Sequence, residues 1–242
     1  MATVIAQTQE ALLGPIMENG TIDFNFWPSF ADTMLAFVLI LALVIFVSAA
    51  GSVVPPEVRR NQEELARVIA MNLTDTTAKR VSTDIFAISL DSTFRNDIVI
   101  VNEPTLQKIT FSNRILFGKD VYTMNESGRR ILSVVGKALL THLGVIREIQ
   151  IQGHADTDST RYASNVHLAA FRAIDVFKFL KDSVGIDPTE KLMSASSYGE
   201  FKPSRRSEKD FTYNRKRLMA DNSTEDLKML NRRIELLVFY AY

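Results

Sequence analysis

Two groups of polar side chains could carry chemistry in this chain of 242 residues. Asn165, Leu168 and Arg172 recur at helical spacing, so they share one face of a predicted helix. Asp156 directly follows a predicted strand and is expected to reach the start of that helix. An aspartate and an arginine in one pocket suit a zwitterion, because the carboxylate can bind an ammonium and the guanidinium a carboxylate. A structural salt bridge between them is the alternative that spacing alone favours.

The second candidate is Asp32, a lone carboxylate at the start of a long apolar run. From Thr33 to Pro56 no residue is charged. Binding of H⁺ or Na⁺ would neutralise Asp32 and let it face dry surroundings, and a charge crossing the membrane potential yields about 2.3 kcal/mol per 100 mV. Asp32 is therefore predicted to carry a transported ion. A helix N-cap in water, provided by Asp32 or Ser29, is the alternative.

Other kinds of chemistry find little support in the sequence. There is no P-loop, serine-hydrolase, zinc-protease or dinucleotide-binding motif. There are no cysteines, and the three histidines lack the spacing of metal ligands. Packing or hydrogen bonding is the predicted role of His154. The formal net charge is zero, which argues against nucleic acid as a partner. We therefore expect no enzyme and no cofactor apart from the transported ion.

The apolar run predicts a transmembrane helix over residues 30–52, behind an N-terminal segment of residues 1–29. A helix from Phe30 to Ala50 would be about 31 Å long, enough to cross the hydrocarbon core. A cleaved secretory signal is disfavoured because the run starts late and follows no basic segment. Arginines follow the span and no Lys or Arg precedes it, so the positive-inside rule would place the C-terminal part in the cytoplasm.

Residues 53–83 are predicted to form a connecting region. The pattern over 57–72 is that of an amphipathic helix, either a stalk that pairs with its twin or a plug that lies on the membrane, and a polar linker follows it. Further along, residues 202–217 contain seven basic and two acidic side chains. This stretch is predicted to be a solvated loop, with contact to an anionic wall polymer or a partner protein as the alternative.

Residues 84–242 are predicted to form one α+β domain. Short alternating strands are expected over 85–90, 98–101, 109–117, 148–153, 192–198 and 233–242. Helices are expected over 126–143 and 165–184. This alternation predicts a two-layer α/β arrangement with the helices on one face of the sheet.

Several motifs of this domain resemble those of OmpA-like peptidoglycan-binding domains, over residues 105–242. The motifs lie at 151–156, at Asn165, Leu168 and Arg172, at 198–203 and at 231–236, and 115–117 resembles the entry strand. Ala155 stands where the family usually has threonine, and the loop between Asp156 and Asn165 is longer than usual. The resemblance implies binding of a diaminopimelate-type stem peptide by Asp156, Asn165, Leu168 and Arg172.

The start of the apolar run, residues 30–37, resembles the membrane helix of MotB-type stator subunits. In that family the aligned aspartate carries the driving ion. The resemblance implies a homodimer inside a pentamer of a multi-span, MotA- or ZorA-like partner, with the C-terminal domain in the periplasm. This expectation overrides the positive-inside rule, because a peptidoglycan binder must face the wall. The Trp-Pro entry and the long 202–230 insertion resemble the ZorB type of stator subunit, from the Zorya anti-phage system.

The sequence thus predicts a peptidoglycan-anchored stator subunit of a proton- or sodium-driven motor in the bacterial inner membrane, with a cytoplasmic N-terminus. A passive tether between membrane and wall is the main alternative, and TonB- or Tol-type energy transduction is a third possibility. Motor and tether differ in whether the ionisable side chain of Asp32 is needed.

Overall fold

The computed structural model describes residues 26–51, 55–73, 79–82, 84–90, 97–207 and 209–241. The chain divides into two compact units, Met1–Val53 and Val54–Tyr242. Most of the predicted N-terminal segment of residues 1–29 lies outside the described residues.

The described part of the first unit consists of one helix, α1, over Trp27–Gly51. Pro28 lies in its first turn, where the missing backbone N–H costs no helical hydrogen bond. The side chains of α1 from Trp27 to Ser48 are exposed. By length and composition, this helix can cross a membrane. It begins three residues before the predicted start of the transmembrane helix at residue 30.

The second unit is built on a seven-stranded sheet in the order β1-β2-β3-β4-β7-β5-β6, in which the β5–β6 pair alone is parallel among the described strands. The strands are β1 Lys79–Ser82, β2 Ile85–Ile88, β3 Ile98–Asn102, β4 Leu106–Ser112, β5 Ile146–His154, β6 Leu192–Gly199 and β7 Arg233–Tyr240.

Three helices of this unit pack against one face of the sheet. They are α2 Pro56–Leu73, α4 Glu126–Thr141 and α5 Asn165–Phe179, the last continuing through a π-turn at Leu180–Val184. Alternate residues of the central strands form the core with them, and Ile109, Ile151 and Leu236 are fully buried examples. The predicted α+β class, with an apolar helix before a two-layer domain, is confirmed.

Helix α2 belongs to this domain. The sequence pattern predicts a separate stalk or plug with a linker over residues 53–83 and a domain that begins at residue 84. In the structure the compact unit begins at Val54, because Leu65, Ala66 and Ile69 of α2 are buried in the core. Residues 79–82 of the predicted linker form strand β1, paired with β2.

Two further stretches differ from the sequence prediction. The strand expected through residue 117 ends at Ser112, and a helical turn, α3 (Asn113–Leu116), follows before Phe117 forms an isolated bridge with Met124. The 202–230 insertion contains two short helices, α6 (Arg215–Ala220) and α7 (Glu225–Asn231). A 3₁₀ turn at Leu143–Val145 leads into β5.

The insertion covers one end of the sheet face opposite α4 and α5. Ile234 and Leu236 of β7 point into the core, so Arg233 and Glu235 lie on the opposite face. Both are nevertheless buried, and Arg233 Nη2 donates to the carbonyl of Lys202 at 3.3 Å. The basic stretch over 202–217, predicted to be a solvated loop, therefore packs against the sheet at its start. It is exposed from residue 204 to residue 207.

Candidate functional site

A cavity of about 610 Å³ opens where β5 ends and α5 begins. It is lined by the four residues predicted to bind peptidoglycan, Asp156, Asn165, Leu168 and Arg172. The turn α3 and the loop after it provide a second wall, and α7 provides a third. The structure thus brings the predicted residues together, while their binding role stays a prediction.

Close packing of β5 against α5 fixes the position of these side chains. A Cβ atom on Gly153 would lie 2.1 Å from the carbonyl oxygen of Ala169, so only glycine allows this approach. Helix α5 starts from Ser164, whose side chain accepts a hydrogen bond from the His167 backbone N–H. Asn165 then presents its side chain to the loop that carries Asp156.

Asn165 holds this loop in shape. Its Nδ2 donates to the carbonyls of Asp156 and Asp158, each at 3.0 Å. Both bonds run within the protein, so the geometry makes Asn165 an organiser of the loop as well as a wall of the cavity. Leu168 is buried and provides an apolar part of the wall.

Arg172 is a buried cation at the cavity wall, and only 2% of its surface is exposed. Its Nε donates to the Val121 carbonyl at 2.9 Å and its Nη2 to the Gly118 carbonyl at 3.4 Å, while the guanidinium lies 5.3 Å from the Phe117 ring centroid. Within the described ranges, no carboxylate forms an ion pair with Arg172. Burial lowers the pKa of Arg172 to about 10, so the group remains charged at neutral pH.

Asp156 has a different partner from the one that spacing favoured. Its Oδ2 accepts a hydrogen bond from Arg232 Nη1 at 2.6 Å, and its Oδ1 accepts one from the Asp158 backbone N–H at 3.1 Å. The alternative of a structural Asp156–Arg172 salt bridge is therefore wrong. The carboxylate and the buried guanidinium line the same cavity without forming an ion pair with each other.

Several charged residues that line the cavity had no predicted role, and Arg232, Glu225 and Asp120 are three of them. Arg232 belongs to the 231–236 motif, and Glu225 lies on α7 within the insertion. Asp120 lines the cavity with a φ of 50°, a left-handed conformation that is uncommon for residues other than glycine. Local spacing carries no signal for any of them, because the chain folds back on itself to bring them to the cavity.

His154 lies behind the cavity at the end of β5 and is about 1% exposed. Its ring stacks on Tyr198 with centroids 5.3 Å apart, and its Nε2 is 3.6 Å from Glu235 Oε2. Burial lowers the pKa of His154 more than Glu235 raises it. Across the described ranges, no group of three or more His, Cys, Asp or Glu side chains could hold a metal ion.

Asp32 lies on α1, and its side chain is exposed within the first unit. The helix begins at Trp27, so neither Asp32 nor Ser29 is its N-cap, and that alternative is wrong. Thr33 Oγ1 donates to the Ser29 carbonyl at 2.8 Å, which occupies that hydroxyl in a helical hydrogen bond. Transport of an ion by Asp32 stays a prediction.

Comparisons with known proteins identify the domain. Residues 116–217 match the model of the OmpA family. A search of curated protein sequences found no significant match.

Solved structures share the fold. A MotB-like protein from Desulfovibrio vulgaris superimposes with a TM-score of 0.56 at 16% identity, covering 76% of this chain and 95% of that one. A periplasmic domain of MotB gives a TM-score of 0.51 at 19% identity, covering 69% and 80%. The periplasmic domain of Helicobacter pylori MotB gives 0.48 at 20% identity, covering 61% and 84%. The family match confirms the resemblance to OmpA-like domains over residues 116–217, and the superpositions show a fold shared with MotB periplasmic domains. The ZorB type stays a prediction.

Proposed function

We propose that this chain, which carries an OmpA-family domain with the fold of MotB periplasmic domains, anchors an inner-membrane complex to peptidoglycan. The observation that carries the proposal is the buried Arg172 guanidinium, which faces a cavity without a carboxylate partner among the described residues. A buried charge costs free energy until an opposite charge binds to it. A ligand carboxylate would provide that opposite charge.

The other groups of the cavity fit a ligand that also carries an ammonium. Asp156 lies in the same cavity, and Leu168 and Phe117 offer apolar contact to the carbon chain between the two charged ends. A diaminopimelate-type residue of a stem peptide has this chemistry, with a free carboxylate, a free ammonium and a short aliphatic chain. Support comes from the match to the OmpA family over residues 116–217.

Binding to purified sacculi tests this proposal. Arg172→Gln removes the cation, and we expect binding at least about tenfold weaker, because a charge-assisted hydrogen bond contributes about 1.5–3 kcal/mol. Arg172→Lys keeps the charge without the bidentate geometry and should be intermediate. Arg130→Gln, an exposed arginine on α4, is the matched control. Wild-type binding by a correctly folded Arg172→Gln protein would contradict the proposal.

The second part of the proposal is that the anchored complex is an ion-driven motor and that this chain is its stator subunit. Asp32 is the sole charged residue of α1, so no ion-pair partner for it lies within that helix. A carboxylate on a membrane span needs a partner, a proton or a cation. A multi-span MotA- or ZorA-like protein, forming a pentamer around a dimer of this chain, would provide the surroundings in which Asp32 alternates between its charged and neutral forms.

This arrangement places the N-terminus in the cytoplasm and the OmpA-family domain in the periplasm. The motor could power flagellar rotation or, if the chain is of the ZorB type, anti-phage defence. A passive tether has the same orientation and the same wall contact but needs no ion. Asp32 therefore distinguishes the motor from the tether.

Ion flux tests the motor proposal. The chain is copurified with its multi-span partner, reconstituted in liposomes and assayed for H⁺ or Na⁺ flux. Asp32→Asn should abolish flux while the complex still copurifies, because the amide cannot exchange a proton or pair with a cation. Asp32→Glu retains a carboxylate and should keep part of the flux. If Asp32→Asn conducts ions and supports function like the wild type, the chain is a tether.

A further inference from the structure

Helix α7 brings an additional carboxylate to the candidate peptidoglycan site. Glu225 lines the cavity and accepts a hydrogen bond from Arg232 Nη2, while Nη1 of the same guanidinium donates to Asp156. Arg232 is thus held between two carboxylates with 28% of its side chain exposed, whereas the Glu225 side chain is 64% exposed. Burial alone would lower the pKa of Arg232, but its bonds to Glu225 and Asp156 outweigh burial and raise it.

Contacts of Lys228 and Asn231 hold the helix in this position. Lys228 Nζ lies 2.6 Å from Asp158 Oδ1, which connects α7 to the loop that carries Asp156. At the C-terminal end of α7, the buried Asn231 side chain donates to the Asp221 carbonyl and accepts from the Ser204 backbone N–H. These contacts keep Glu225 at the rim of the cavity, at a fixed distance from Arg232.

This geometry limits how Asp156 can act. Its Oδ2 accepts from Arg232 at 2.6 Å and its Oδ1 from a backbone N–H, and only 7% of the Asp156 side chain is exposed. An incoming ammonium therefore has to compete with a guanidinium already in place. Without Glu225, loss of the bond to Asp156 would leave Arg232 as a partly buried cation with no carboxylate partner, which is costly. Glu225 removes that cost, because it is already bonded to the other end of the same guanidinium.

We propose that Glu225 is a positioning residue that retains Arg232 when a ligand ammonium displaces it from Asp156. This inference rests on the proposed function, because it assigns a specificity element to the same site. It makes the site selective for ligands that carry a free ammonium beside the carboxylate bound by Arg172. Without Glu225, Arg232 would remain on Asp156 and oppose such ligands.

The experiment is isothermal titration of the full chain in detergent with the tripeptide L-Ala-γ-D-Glu-meso-diaminopimelate. Glu225→Gln should weaken binding about threefold to fivefold, because an exposed ion pair contributes up to about 1 kcal/mol. Asp226→Asn removes a neighbouring exposed carboxylate of α7 that does not line this cavity, and it should bind like the wild type. Glu225 is exposed, so the melting temperature should barely change.

A second probe separates positioning from a general effect of charge. When the diaminopimelate ammonium of the tripeptide is acetylated, the ligand has no cation there to pair with Asp156. The Glu225→Gln protein should then bind this acetylated tripeptide like the wild type. In an Arg232→Gln background, Glu225→Gln should also have no further effect on the free-ammonium probe, because there is no guanidinium to retain.

The outcomes separate this inference from the proposed function. If the wild type binds the tripeptide and Glu225→Gln binds it equally well, the inference about Glu225 is overturned and wall binding stands. An equal loss of affinity for both probes also overturns it, because the effect would then not involve the ammonium. If the wild type binds neither the tripeptide nor sacculi, the proposed function itself fails.

Discussion

At the scale of single residues, the domain keeps several charged or titratable groups buried, and their environments differ. Arg172 lacks a carboxylate partner among the described residues and lines a cavity, so its charge is available to a ligand. Arg233 and Glu235 are buried too, but Arg233 Nε donates to Glu235 Oε1 at 2.6 Å, so this pair compensates itself. The contrast supports the proposed binding role of Arg172, whereas the Arg233–Glu235 pair belongs to the packed structure.

His154 makes the stability of the domain depend on pH. Its folded-state pKa is lowered from 6.5 by burial, so below about pH 6.5 the unfolded chain binds a proton that the folded protein does not. The free energy of unfolding should therefore fall as the pH decreases from 6.5 to 5, by up to about 1.4 kcal/mol per pH unit. Urea denaturation of the wild type and of His154→Phe, which keeps a ring against Tyr198, measures this slope.

The variant should lose most of the slope in that pH range, and an unchanged slope would show that His154 is not its source. Glu235 contributes in a separate range. Burial opposes its ionisation, but His154 and Arg233 outweigh burial and lower the pKa of Glu235. The contribution of Glu235 to the free energy of unfolding is therefore fully present above the ordinary glutamate pKa of about 4.5. It is lost only as the pH falls further, through the lowered pKa of Glu235 in the folded protein.

At the scale of secondary structure, the amphipathic pattern of α2 correctly predicts a helix. It does not predict the surface against which the apolar face of that helix packs. The apolar spacing over 57–72 predicts a helix, and α2 forms over Pro56–Leu73. A buried polar network attaches it to the sheet, since Gln62 Nε2 donates to the Glu103 carbonyl and Gln107 Nε2 donates to the Gln62 carbonyl. The apolar face of α2 is thus covered within the chain and not by a twin.

Leu65→Ala tests this packing. Leu65 is fully buried, and truncating a buried leucine costs about 2–5 kcal/mol because transfer free energy is lost and a cavity remains. Met71→Ala is the matched control on the same helix, since 58% of Met71 is exposed. Urea denaturation of the domain measures both. A change of less than about 0.5 kcal/mol for Leu65→Ala would mean that α2 is not docked in solution.

At the scale of the whole molecule, the chain consists of a membrane-competent helix and a domain that starts soon after it. The compact unit spans Val54–Tyr242, so α2 and β1 belong to the domain and only a few residues lie between it and Gly51 of α1. Along the chain, only residues 52 and 53 separate the end of α1 from the start of the second unit.

Two truncations distinguish the observed domain boundary from the one predicted by sequence. A fragment of residues 54–242 should fold cooperatively and bind sacculi, because it retains the whole core. A fragment of residues 84–242 loses α2, which exposes core residues such as Ile100 and leaves Gln107 without its bond to Gln62. We expect it to be less stable by several kcal/mol or insoluble. Equal melting temperatures for the two fragments would contradict the assignment of α2 to the domain.

Features that depend on local spacing were predictable from the sequence alone. The run of uncharged residues after Asp32 predicts α1, alternation along the chain predicts the central strands, and Asn165, Leu168 and Arg172 fall on one helical face. Each of these follows from the period of a helix or a strand, which depends on the order of residues close together in the sequence. Most of the fold and the position of the site could therefore be inferred before the structure was known.

Only the tertiary structure decided which partners the charged groups take. Asp156 pairs with Arg232, 76 positions away, and not with the nearer Arg172. Arg172 instead donates to carbonyls more than 50 positions earlier, and α7 brings Glu225 to the same cavity from the insertion. Such pairings depend on how distant segments pack, and no local period encodes them. The sequence determined which side chains could form a site, and the packing of α5, α7 and the loop after α3 determined which charges remain available to a ligand.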